Sequence, residues 1–291
     1  MRQKVLPLSS SLFLLFLLSL TGCSSSEDEL LINPSTEVYL PAGRSLVQGL
    51  AACGHCHGSS PTPRSALSGG QILTDVYGKV LTPNLVSPEL KGWKVSELVT
   101  AIRKSERPDE VAFAAEHHLG YEWMSDEDAF AIAAYLRSLP RVDNTFEKRD
   151  LSTFDKYTSG FMEQRRSVSG YVPPIPRRDR KAYGKYLVDH IARCGSCHDA
   201  PATLFTEAQY LKGGKEIQRA EKSYIAPNIT GSETFGIGEW GEDEIVAYLS
   251  TGKPPGSAFK QSEACPTDFY GLAPREDLQA IARYLRSVEN T

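Results

Sequence analysis

Apolar positions recur at helical spacing along most of the chain. Tyr183, Leu187 and Ile191 fall at four-residue steps, and Leu46, Val47 and Leu50 make a shorter stripe of the same kind. Each stripe runs into a cysteine motif, so a helix is predicted to lead into CGHCH at 53–57 and another into CGSCH at 194–198. Val95, Leu98, Val99 and Ile102 fit the i, i+3, i+4, i+7 template, and the turn TGKPP closes the matching segment further along. A third helix is predicted from Ser125, whose spacing to Asp128 is that of a capping box. It presents Ile132, Tyr135 and Leu136 on one face and stops at Pro140. No stretch alternates convincingly with period two, and the predicted fold class is all-α.

The pattern also repeats. CGHCH returns as CGSCH, TPNL at 82–85 as APNI at 226–229, Trp93 as Trp240, and AIAAYLRSLP at 131–140 as AIARYLRSVE at 280–289. Four features in the same order predict a tandem duplication, with copies at 44–141 and 179–291. Units of this size are expected to bury separate cores rather than stack as a solenoid. Between them, 142–178 leads into GYVPPIPRRDRK and reads as a stiff linker. Arg177, Arg178, Arg180 and Lys181 are expected to be a solvated charged face. Trp93 and Trp240, each just before a helix, are assigned to packing.

The amino terminus differs from the rest. Arg2 and Lys4 precede the apolar run SLFLLFLLSL, which is too short to span a bilayer permanently and reads as a secretory signal over 1–22. The run ends in Leu20-Thr21-Gly22-Cys23, which resembles the lipobox of bacterial lipoproteins; that resemblance implies lipidation of Cys23 and an anchored protein facing the periplasm. Ser24, in place of Asp, points to the outer membrane rather than the inner. Residues 23–43, polar and acidic, fit a tether. The formal charge of −4 gives no reason to expect nucleic acid as a partner.

A CxxC pair permits several chemistries. A thioredoxin-like dithiol needs its cysteines at the start of a helix that follows a strand, whereas these follow a helix. A zinc site needs four ligands at short spacings, and the two pairs lie nearly half the chain apart. Neither reading explains His57 after Cys53 and Cys56, or His198 after Cys194 and Cys197. Covalent haem attachment accounts for all six residues: each pair of thiols adds to two vinyl groups, and the adjacent histidine becomes the iron's fifth ligand.

On CxxCH, PN[LI], FGIGEW and the final AIxxYLRS helix, the chain resembles dihaem cytochromes c built from two class I cytochrome c domains, similar to the cytochrome subunits of membrane-associated dehydrogenases. The resemblance covers 44 to about 289 and implies two covalently bound haem c groups. It also implies that the carbonyls of Pro83 and Pro227 accept a hydrogen bond from the proximal histidines. The implied role is single-electron transfer between exported redox partners, namely a dehydrogenase, a quinol oxidoreductase or a terminal acceptor, with no catalytic residue assigned.

The family's sixth ligand, a methionine before the last helix, is missing. Only Met1, Met124 and Met162 occur. Aligning Tyr121 with Tyr270 puts Cys265-Pro266 where Met-Pro would be, so Cys265 is the expected distal ligand of the second haem. In the first copy the loop AAEHHLGYEWM offers His117 or His118, with Met124 as competitor. The alternative function is enzymatic: thiosulfate dehydrogenases resemble this chain in carrying a His/Cys-ligated haem, although Lys260 is the sole anion-binding residue evident near Cys265.

Overall fold

The computed structural model describes residues 36–108, 115–147, 149–155, 168–202, 206–219, 222–259 and 263–289. The signal segment, Cys23, most of the tether, Met162 and Lys260 lie outside the described residues. No helix among those described is long and apolar enough to cross a membrane.

The fold is helix-rich. Helix α1 (Leu40–Gln48) leads into α2 (Cys53–His57); α3 (Val95–Lys104) and α4 (Asp126–Ser138) follow. Helix α5 (Arg180–Tyr186) continues through a π turn, Leu187–Ile191, into α6 (Gly195–His198), followed by α7 (Glu242–Thr251), α8 (Thr267–Tyr270) and α9 (Arg275–Arg286). Both predicted lead-in helices are present, with Val47, Leu50, Tyr183, Leu187 and Ile191 buried. This arrangement is consistent with a cytochrome c fold.

Two short antiparallel hairpins accompany the expected helices. Strands β1 (Ile72–Asp75) and β2 (Gly78–Leu81) pair with Ile72 opposite Leu81, and β3 (Glu216–Arg219) pairs with β4 (Lys222–Ile225). Each strand is four residues long, and apolar residues such as Ile72 and Ile225 are exposed. A strand so short, with apolar residues turned to solvent, gives no period-two signal.

Helix α1 crosses α4 at Gly43, where an added Cβ would stand 2.0 Å from the Ala131 carbonyl oxygen; α5 crosses α9 at Gly184, with the same 2.0 Å to the Ala280 oxygen. Only hydrogen fits at either crossing. Gly43→Ala or Gly184→Ala is therefore expected to cost about 3 kcal/mol by forcing the helices apart. A thermal midpoint lower by on the order of 10 °C would report it, and an unchanged midpoint would show that the crossing can yield.

The core differs from the two separate ones expected. Val47, Met124, Ile132 and Leu136 belong to one contiguous buried cluster with Leu187, Ile191, Phe269 and Ile281. The halves also share a helix cap. Ser125 Oγ accepts the Asp128 N–H at 3.2 Å, as the capping box predicts, but the Ser125 N–H donates to Tyr186 Oη at 3.1 Å. The Asp128 carboxylate accepts the Tyr186 hydroxyl proton instead of reaching back to its own helix.

Nor does the described part of 142–178 behave as a free spacer. The Asn84 amide donates to the Val142 and Asn144 carbonyls, Arg149 pairs with Asp75 at 2.8 Å, and Leu151 and Val172 are buried. Asn84 and Asp75 are nearly buried, and a buried polar group must be paired; these segments supply the partners. Arg177 is pinned to Asp277 at 2.7 Å while remaining two-thirds exposed, in keeping with a mostly solvated basic run. Trp93 packs against Leu90 and Leu98, and Trp240 meets Tyr248 edge-on at 5.5 Å, so both tryptophans pack as expected.

Candidate functional site

Both CxxCH motifs form a short helix immediately after a residue in the left-handed conformation, Ala52 at φ 45° and Arg193 at φ 50°. That reversal turns the chain sharply between the lead-in helix and the motif. The next loop is tied back to the motif's last residue. The Gly69 N–H donates to the His57 carbonyl at 2.8 Å, and the Gly213 N–H to the His198 carbonyl at 2.6 Å.

The imidazoles are then fixed by the proline loops. His57 Nδ1–H donates to the Pro83 carbonyl at 3.0 Å, and His198 Nδ1–H to the Pro227 carbonyl at 2.7 Å. A proton held on Nδ1 leaves the lone pair on Nε2, which is the tautomer a metal requires. Burial pushes the pKa of both histidines down, with the proline carbonyls opposing it, so each is held neutral. None of Cys53, Cys56, Cys194, Cys197 and Cys265 is in a disulfide. Burial raises the Cys53 thiol to about 12, and raises Cys194 as well.

In the first half these groups open onto a cavity of about 280 Å³ lined by Cys53, Cys56, His57, Leu98, His118 and Arg193, among others. His57 and His118 both line it, with ring centroids 6.3 Å apart and ring planes inclined at 62°. Two imidazoles on opposite sides of one metal, each nitrogen about 2 Å from it, place their ring centres about 6 Å apart. His118 Nδ1 points at the Ala101 carbonyl, a long contact at 3.4 Å that favours the same tautomer as in His57.

The other two candidates sit differently. His117 also lines the cavity but is about one-third exposed; its Nε2 is sealed from water with no hydrogen-bond partner and stands 3.9 Å from a Glu116 carboxylate oxygen. Met124 is fully buried in the apolar core and is not among the cavity-lining residues.

In the second half Cys265 is half-buried against the core. It lies close enough to Cys194, Tyr248 and Tyr270 to add to burial in raising their pKa values. It therefore lies near the attachment motif, although it is 71 positions further along the chain.

Arg193 is a site residue that sequence reasoning missed. It precedes Cys194 in the second half, yet its guanidinium enters the first half's cavity, donates to the His117 carbonyl and lies 4.1 Å from the centre of the Tyr121 ring. Such a contact spans 76 residues and leaves no periodicity to read.

Paired thiols beside a neutral imidazole with Nε2 available, at the wall of a largely apolar cavity with a second imidazole 6.3 Å away, fit a covalently attached haem. No family model matches the chain. It is 30% identical over 253 residues to a protein of Cereibacter sphaeroides named diheme cytochrome c-type, covering 82% of both chains. It is also 30% identical over 251 residues to the fructose dehydrogenase cytochrome subunit of Gluconobacter japonicus, covering 82% of this chain and 50% of that one. With the cytochrome c subunit of the quinone-type alcohol dehydrogenase of Gluconacetobacter polyoxogenes the identity is 25%, over 88% of this chain and 57% of the relative. The chain thus spans about half the length of these dehydrogenase subunits. On the likeness over 82% of both chains and on the donor set in each half, the chain belongs to the dihaem cytochromes c and carries two covalently bound haem c groups.

Proposed function

We propose that this cytochrome is an exported, lipid-anchored carrier built from two tandem cytochrome c domains, at 44–141 and 179–291, which accepts single electrons from a dehydrogenase and passes them to a downstream acceptor. The relatives' names, subunits of fructose and alcohol dehydrogenases, support a dehydrogenase as donor. The matched pairs Gly43 and Gly184, Ala52 and Arg193, and His57–Pro83 and His198–Pro227 support a duplicated origin.

In this reading Cys53 and Cys56 hold the first haem and Cys194 and Cys197 the second, with His57 and His198 as proximal ligands oriented by Pro83 and Pro227. His118 is the distal ligand of the first, in preference to His117, and Cys265 that of the second. Haem c, when bound, supplies reversible one-electron exchange between ferric and ferrous iron. With both axial positions taken by these residues, no position on either iron would be left for a substrate. The observation that carries this is the 6.3 Å separation of His57 and His118, a spacing at which the two imidazoles would hold the first iron between them.

Low-temperature electron paramagnetic resonance of the oxidised protein tests it. Two low-spin signals are expected, one of bis-histidine type and one of histidine–thiolate type. A dominant high-spin signal, or turnover of thiosulfate with an artificial acceptor, would place the protein with the enzymes instead. Intact mass should show two covalent haems in protein matured by a functional cytochrome c system; fewer would overturn the attachment.

Anchoring is tested separately. Cys23 is proposed to carry acyl chains, and more than one chain is needed for firm retention at a bilayer. Cys23→Ala is expected to release the protein into the periplasm or to block its processing. A processed variant that stays on the membrane would point to a different anchor, and fractionation of the wild type would decide between the proposed outer membrane and the inner one.

A further inference from the structure

Each motif is entered through one left-handed residue, and the two differ in chemistry: Ala52 stands before Cys53 and Arg193 before Cys194. From that position Arg193 leaves its own half. Its Nη1 donates to the His117 carbonyl at 2.5 Å and approaches the Leu119 carbonyl at 3.3 Å, so one guanidinium grips the main chain on both sides of His118. Its plane lies over Tyr121, whose hydroxyl donates to the Ala51 carbonyl at 3.2 Å. The approach is close all along this seam. Gly120, at φ 103°, has no room for a Cβ, which would stand 2.8 Å from the Asp189 carbonyl oxygen, and His190 Nδ1–H donates to the Gly120 carbonyl at 2.7 Å.

Arg193 carries a permanent charge. Its described partners are carbonyls and an aromatic face, with no carboxylate among them, and its Nε is shut off from solvent with no hydrogen-bond partner. The charge is therefore not neutralised within its described contacts, and it lines the cavity that also holds His57, His118 and Cys56. At so short a range in a shielded site, one positive charge acts strongly on any group that gains or loses an electron. Ala52 supplies nothing equivalent.

We propose that Arg193 is a positioning and tuning residue supplied in trans: from the second half it holds the loop that presents His118 and favours the ferrous state of the first haem. This rests on the reading that the first haem occupies this cavity with His118 as its distal ligand. The first haem's potential is then raised by a cation whose counterpart in the first half, Ala52, carries no charge. The haem with the higher potential is the first, where an electron comes to rest.

The test is a redox titration of the full chain with both haems, followed by electron paramagnetic resonance so that each haem is read by its own signal. Arg193→Gln removes the charge at similar length. At a fixed ambient potential it should lower the ferrous-to-ferric ratio of the first haem about tenfold, 59 mV for one electron, while the second haem stays in place. Arg193→Lys keeps the charge without the fork, so it should restore most of that ratio but alter the g-values of the bis-histidine signal.

An unchanged first haem in Arg193→Gln, or an equal shift of both haems, overturns the proposal while leaving the electron-carrier reading intact. Absence of a bis-histidine signal in the wild type would overturn the ligand reading itself. Should the glutamine variant fail to retain haem, the lysine variant decides alone. Altered g-values with a near-normal ratio support the proposal, and g-values identical to the wild type refute it.

Discussion

Cys265→Met is expected to raise the potential of the second haem by about 100 mV or more, within the span that axial ligands and their surroundings command. The thiolate donates negative charge to the iron and so favours ferric over ferrous, whereas a thioether is neutral and favours the reduced state. The setting of Cys265 makes the exchange a clean comparison. It is half-buried beside Tyr248, Tyr270 and the attachment thiol Cys194, and it is followed by Pro266, which turns the chain into α8. Methionine is flexible enough to fill such a site without forcing the backbone. The first haem should scarcely respond, because the axial groups proposed for it come from α2 and the 115–118 turn. An optical redox titration in which wild type and variant coincide would remove Cys265 from the coordination shell.

The parts of this molecule that were legible in advance are those written in local pattern. The stripes Val47–Leu50 and Tyr183–Leu187–Ile191, the Ser125 cap and the CxxCH motifs each depend on residues within a few turns of one another, and each is found where its spacing places it. The hairpins were invisible because four-residue strands such as β1, with Ile72 turned to solvent, carry no alternation. The helix crossings had left a trace that was not used: Gly43 and Gly184 each stand ten residues before the first cysteine of a motif. A glycine at the same offset in two lead-in helices is the mark of a backbone approach.

What could not be read locally is the seam between the halves. Arg193 on the His117 carbonyl, Tyr186 on Ser125 and Phe269 against the ring of His55 all join residues more than sixty positions apart. The expectation of two independent cores failed for the same reason. Each half's attachment segment is covered by the distal segment of the other: Gly120 lies on Asp189 and Arg193, and Gly54 lies on Phe269. Apolar surface that a free domain would leave exposed is buried by its neighbour, and burial of that kind is the main favourable term in association.

His118→Ala is expected to abolish the bis-histidine signal and convert the first haem to a high-spin form, removing about half of the low-spin iron while the second haem is unchanged. Truncating a side chain often releases the loop that bears it. Here the loop is held by its main chain, since Arg193 bonds to the carbonyls of His117 and Leu119 and His190 bonds to that of Gly120, so alanine at 118 leaves those contacts in place. The variant should keep both covalent haems by mass, and added imidazole should restore the low-spin spectrum by occupying the space opposite His57. His117→Ala provides the control. Its ring is partly exposed beside Glu116, and the ring contact of His57 is with His118, so its removal should leave the signal in place. If the His117 variant loses the bis-histidine signal and the His118 variant keeps it, the two residues exchange roles, and the 6.3 Å pairing of His57 with His118 becomes a packing contact rather than a ligand pair.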